Sequence, residues 1–187
     1  MKRRGKAKPA KQAKRPEKAA AVKAGIGGGG LFWTALRYAA CVGVCLAVGA
    51  AGGLVTYPQI AAWYASLSKP FFSPPNWVFG PVWTILYIMM GVAVARVIGK
   101  GLRGKNVRAA LPLFGLQLAL NFLWSLAFFG LQSPASGVVV IAALWVALAA
   151  TIWRFWAVSK GAALLLVPYL LWVSFASLLN IAVMLLN

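Results

Sequence analysis

Between Ala24 and Asn187 the chain has no aspartate, no glutamate and no histidine; its one acidic residue is Glu17. Each absence removes a class of chemistry. Proton-coupled carriers keep an intramembrane carboxylate or imidazole to load and unload a proton, and none is present here. Carboxylate or imidazole metal sites, Ser-His-Asp catalysis and paired-carboxylate glycoside chemistry are excluded on the same grounds. Haem held by an axial histidine is excluded too. Cysteine is scarce: Cys41 and Cys45 lie one helical turn apart in an apolar run and read as small packing residues, not as a disulfide or a metal pair. What remains is binding by shape, ring stacking and a few neutral hydrogen bonds.

Apolar surface is what the chain has in excess. Of 187 residues 62% are hydrophobic and 11% charged, with a mean hydropathy of +0.82. A soluble domain is about half apolar and about a quarter charged. One soluble core cannot bury that surplus, so lipid is the solvent for most of the chain. Five apolar segments, near 34–56, 79–98, 109–130, 137–157 and 161–186, each approach the roughly 20 residues that a bilayer core requires. They are continuous, rich in Leu and Ala and free of period-two alternation, which argues for helices over strands. The expected fold is an all-α integral membrane protein, a five-helix transmembrane bundle over residues 31–187.

Ten of the nineteen Lys and Arg residues lie in the first 23 positions, in a Lys/Ala/Pro tail that ends in GIGGGG. The tail, residues 1–30, has almost nothing to bury and is expected to be disordered. A cytoplasmic tail touching anionic lipid headgroups is the favoured reading, an organellar targeting segment the second; nucleic-acid contact is disfavoured. With the N-terminus inside, every cation except Lys69 falls on the inner side: the tail with Arg37, the loop from Arg96 to Arg108, and the turn with Arg154 and Lys160. The positive-inside rule then predicts N-in, C-out, with a bacterial inner membrane favoured and outer or organellar membranes open.

The long connection at 57–78 lies on the opposite face. Ser66 to Tyr87 reads SLSKPFFSPPNWVFGPVWTILY, with Pro70, Pro74, Pro75 and Pro81, two tryptophans and Lys69. So stiff and aromatic a loop is seldom a mere connector. Inside the spans, neutral polar groups recur at helical spacing: Gln117, Asn121 and Ser125 with Trp124 and Phe128; Tyr169, Trp172, Ala176 and Asn180; Trp83, Tyr87 and Gly91. Three such stripes point inward, since an amide facing lipid goes unsatisfied. Interhelical glue and a pocket lining both remain open for the amides. Trp33, Trp63, Trp153 and Trp156, near span ends, suit an interfacial belt. Gly49 and Gly53 have the GxxxG spacing for close helix approach, within the bundle or between two subunits.

The pattern WYxxLxKPxxxPPxWVFxPVWTxLY from Trp63 to Tyr87 resembles the signature of the translocator protein family, whose bacterial members are called tryptophan-rich sensory proteins. LALNFLWSLAFFG (Leu118–Gly130) and LLVPYLLWVSFASLLN (Leu165–Asn180) agree with it. The resemblance implies a five-helix bundle, often dimeric, with a cavity beneath the first loop that takes porphyrins such as protoporphyrin IX and other flat apolar ligands. No cofactor is required; the porphyrin is the ligand. Lys69, Pro70, Pro74, Pro75 and Trp77 would form a lid, and Trp83, Tyr87, Asn121, Trp124 and Trp172 would line the cavity, with Gln117 and Asn180 on the same polar stripes. Lys69 either meets a ligand carboxylate at the mouth or snorkels to the interface. Trp83 and Trp172 match the tryptophans tied to light-dependent porphyrin breakdown in bacterial relatives. Two departures stand out: the end, LLNIAVMLLN, lacks the aromatic and basic pair of the animal sterol motif, and the fourth span has no acid. Three functions follow as expectations: a porphyrin receptor or carrier, a porphyrin-degrading activity, and a dimeric scaffold without a small ligand.

Overall fold

The computed structural model describes residues 17–187, with side chains from residue 30 onward. The described chain falls into two units, the first ending at Leu36 and the second, compact, spanning Arg37–Asn187. Among the described residues there is no strand. Five helices are long and apolar enough to cross a membrane: Gly30–Ala61, Asn76–Ile98, Lys105–Gly130, Pro134–Val158 and Lys160–Leu186. The protein is a multi-pass, all-α integral membrane protein.

In chain order the elements are α1 (Glu17–Ala61), α2 (Trp63–Ser66), α3 (Asn76–Ile98), α4 (Lys105–Ser125), α5 (Pro134–Val158) and α6 (Lys160–Leu186). A π-helical turn, Leu126–Gly130, extends α4. Helix α1 begins at Glu17, inside the segment expected to be unstructured; the rest of that segment, residues 1–16, lies outside the described residues. Its first turns are built of Glu, Lys and Ala, strong helix formers, and they follow directly on Pro16.

Local chemistry sets the other boundaries. Pro75, extended at ψ 141°, starts α3, and its carbonyl accepts from the Val78 N–H at 3.0 Å. Ser133 caps α5 by accepting from the Ser136 N–H at 3.2 Å, and Pro134 occupies the first turn, where a missing N–H costs nothing. The α3–α4 turn contains Gly101 at φ +99°, a conformation that suits glycine.

Helices α4 and α5, α5 and α6, and α3 and α6 form the closest pairs. The core they enclose is densest toward the basic loops, where Val97, Ala110, Phe155, Ala162, Ala163 and Leu166 are fully buried. There the Phe114 and Phe155 rings stack at 5.8 Å and 14°. Helix α1 is held differently: 11% of its most apolar stretch of 18 residues is buried, against 33–39% in the other four spans. Two glycines let it approach α3. A Cβ on Gly91 would run into the Val42 backbone, and one on Gly49 into the Tyr87 ring. Gly49 therefore serves close approach within the chain; beside Gly53, by contrast, there is open space.

Candidate ligand-binding site

Toward the 57–78 loop the bundle opens into a cavity of about 1010 Å³, walled by α1, α2, α3, the α4 end and α6. Its lining is apolar and aromatic. Trp83 is the hub: its ring lies 6.3 Å from Trp124 in a stacked arrangement, 5.7 Å from Tyr87, and 6.0 Å from Tyr169 edge-on. Trp124 in turn stacks on Phe128 at 5.7 Å, while Phe79 meets Trp172 edge-on at 5.9 Å. Such pairs are worth about 0.5–1.5 kcal/mol each beyond area burial, which fixes the rings as a rigid wall.

Two amides brace that wall. The Tyr87 hydroxyl donates to Asn121 Oδ1, and Asn121 Nδ2 donates to the Tyr169 hydroxyl at 2.8 Å, so α3, α4 and α6 are tied at the cavity floor. Higher up, Trp124 Nε1 donates to Asn180 Oδ1 at 3.1 Å, and Asn180 Nδ2 donates to the Pro134 carbonyl at 2.9 Å. Both amides are thus interhelical ties and lining residues at once. Trp172 Nε1 is buried without a protein partner. Nothing on this wall is an acid or a base in the physiological range.

Of the residues singled out in the sequence, Trp77, Trp83, Tyr87, Asn121, Trp124, Trp172 and Asn180 line the cavity. Gln117 does not: it is fully buried below the floor, its Nε2 3.9 Å from Met90 Sδ and its Oε1 unpartnered. Lys69, Pro70, Pro74 and Pro75 are also not part of the lining. The Lys69 ammonium turns back onto the end of α2, donating to the Ala65 and Leu67 carbonyls at 3.3 and 3.2 Å, with the Tyr64 ring 4.8 Å away. A free helix C-terminus and an aromatic face hold the cation there. Pro70 shapes a turn by accepting from the Ser73 N–H at 3.0 Å. The loop is clasped by Asn187, whose side chain accepts from the Ser68 N–H at 2.9 Å and donates to its carbonyl at 3.1 Å.

Trp63, half-buried, packs edge-on against Phe128 at 5.4 Å. Burial beside those rings pushes the phenol of neighbouring Tyr64 above its ordinary value, a hydrogen bond to Ser73 pulling the other way. Trp153 and Trp156 are exposed and sit against Arg154 at 4.7 Å and Lys160 at 5.8 Å. Two features of the lining were missed in the sequence. One is the glycine-rich face of α1, Gly49, Gly52 and Gly53, which makes room for the cavity; three glycines within five residues of an apolar helix were the available signal. The other is the π-helical turn, which brings both Phe128 and Phe129 onto the wall, 4.8 Å apart. No residue pattern announces such a turn.

Comparison with known proteins agrees with this architecture. Residues 41–186 match the TspO/MBR family. The chain is 53% identical over 153 residues to the tryptophan-rich protein TspO of Chlorobaculum tepidum, covering 81% of this chain and 96% of that one. It is 47% identical over 153 residues to the protein of the same name from Archaeoglobus fulgidus, covering 81% and 97%. The human translocator protein is 44% identical over 124 residues, covering 65% of this chain and 72% of its own. The chain belongs to the TspO/MBR family.

Proposed function

We propose that the cavity is a receptor or carrier site for flat, apolar ring systems of the porphyrin class, protoporphyrin IX being the test case. The observation that supports this most is the aromatic lining, the Trp172–Phe79 pair and the Trp83–Trp124–Phe128 stack, around about 1010 Å³. Pockets for small molecules run to about 300–1,000 Å³ and combine apolar walls with few polar groups. Ring faces suit an extended π-system, and a family whose members are named translocator proteins suits a small-molecule cargo. The same reading places the N-terminus and the basic loops on the cytoplasmic side of a bacterial inner membrane, against anionic headgroups, in a homodimer.

The test is a titration of protein in nanodiscs with protoporphyrin IX in the dark, following tryptophan quenching corrected for inner-filter absorption. Saturable binding that weakens at least tenfold in the Trp83→Phe/Trp172→Phe variant is the expected result. No saturable binding in the wild type overturns the reading. Illuminating the bound complex afterwards separates carriage from breakdown: a porphyrin absorbance loss that needs both tryptophans would make the protein a degrader.

A further inference from the structure

The walls of the cavity differ in how they close. On α4 and α6 most of the lining is closed: Asn121, Phe128, Phe129, Ala176, Asn180 and Val183 are buried, and Trp124, Ser125 and Trp172 are half-buried. On α1 and α3, Gly52 and Tyr87 are buried but the rest of the lining is more open. Leu54 is 79% exposed, Tyr57 81% and Trp77 75%, and Gly53, Gly80 and Thr84 are exposed as well, although all six line the cavity. Gly53, Leu54, Gly80 and Thr84 fall inside the apolar spans Gly30–Ala61 and Asn76–Ile98 and outside the 57–78 loop, while Tyr57 and Trp77 stand at its two ends. Along this seam a Cβ on Gly53 or Gly80 would meet no atom within 4 Å. The water-facing side is built the opposite way: the loop is clasped by Asn187 on Ser68, and Lys69 is bonded back onto α2.

From this asymmetry we infer that the cavity exchanges its ligand sideways, with the bilayer, through the seam between α1 and α3. The ligand class follows from the route: a lipid-soluble ring compound that travels within the membrane, its flat body passing between a glycine-lined helix face and the Trp77–Gly80–Thr84 edge. Helix α1 is the element suited to yield, because it has the smallest buried share of the five spans. The inference rests on the receptor reading and adds the path and the phase from which the ligand comes.

The test is stopped-flow binding of protoporphyrin IX to proteoliposomes in the dark, comparing wild type, Gly53→Leu, Gly80→Leu and Asn187→Ala. A Cβ at either glycine meets no atom within 4 Å, and circular dichroism and the melting temperature check that the fold is kept; the two variants back each other if one fails to fold. The expected result is that both leucine variants slow association and dissociation together, each at least fivefold. Asn187→Ala, which frees the loop clasp, should leave both rates unchanged. Wild-type rates in the leucine variants, with faster exchange in Asn187→Ala, would overturn the lateral route and put exchange past the loop while leaving the receptor reading intact. Absence of saturable binding in the wild type would refute the receptor reading and this inference with it.

Discussion

The two ends of the bundle use the same five spans and nearly the same apolar composition, yet one is solid and the other hollow. At the basic end the facing residues are Ala, Val and Leu with one stacked phenylalanine pair, and they interdigitate until Phe155, Ala162, Ala163 and Leu166 have no exposed surface. At the loop end, glycines on α1 face large rings on α3, α4 and α6. Rings braced by one another and by Asn121 and Asn180 cannot collapse into the space the glycines leave, and a cavity remains. Hydrophobicity therefore sets where the chain lies, while the pairing of very small with very large side chains sets where it is empty. In lipid, where apolar surface gains little by meeting apolar surface, packing shape carries more of the specificity than in water.

Substitutions can sharpen this contrast, beginning with the largest expected effect. Phe155→Ala, in the solid end, should destabilise the bundle by about 3 kcal/mol, because the site cannot refill. Phe79→Ala, whose ring borders existing space, should cost less than half as much; SDS-titrated unfolding measures both. Gly91→Ala forces a Cβ against the Val42 backbone and should cost about 1–3 kcal/mol. Gly53→Ala, with no neighbour in reach, should stay within about 0.5 kcal/mol of the wild type. Equal effects at the two glycines would mean that α1 is not held against α3 as described. Asn121→Ala leaves the Tyr87 and Tyr169 hydroxyls without their shared amide, and should cost about 0.6–1.7 kcal/mol, the range for polar ties inside membranes. The smallest effect concerns pH. With no Asp, Glu or His from Ala24 to Asn187, the empty protein should keep a constant melting temperature between about pH 5 and 8, the window in which histidine switches operate.

Much of this was legible in the residues. Continuous apolar runs of span length gave five spans, whose observed limits differ from the expected ones by at most five residues, although helix α1 itself starts at Glu17, well before its apolar run. The four-residue spacing of Gln117, Asn121 and Ser125 gave one inward face. The loop was less legible. Its prolines and lysine stood out by type, but their positions follow from tertiary facts: a helix C-terminus waiting for a cation at Lys69, and a distant Asn187 able to clasp Ser68. Gln117 shares its stripe with Asn121 but lies one turn deeper, beneath the floor, because spacing fixes a face and not a depth. The glycines of α1 were visible as close-approach residues; that Gly49 seats a ring while Gly53 borders emptiness depends on what α3 places opposite them.

The most direct test of a hollow end and a solid end is photo-crosslinking. A porphyrin bearing a diazirine is equilibrated with the protein in nanodiscs, illuminated at the diazirine wavelength, and the labelled peptides are mapped by mass spectrometry with and without excess protoporphyrin IX. The account predicts competed labels on residues 46–60, 76–87 and 121–129, with none around Phe114 and Phe155. Competed labels confined to the outer face of α5 and α6, near Trp145 and Ser174, would contradict it.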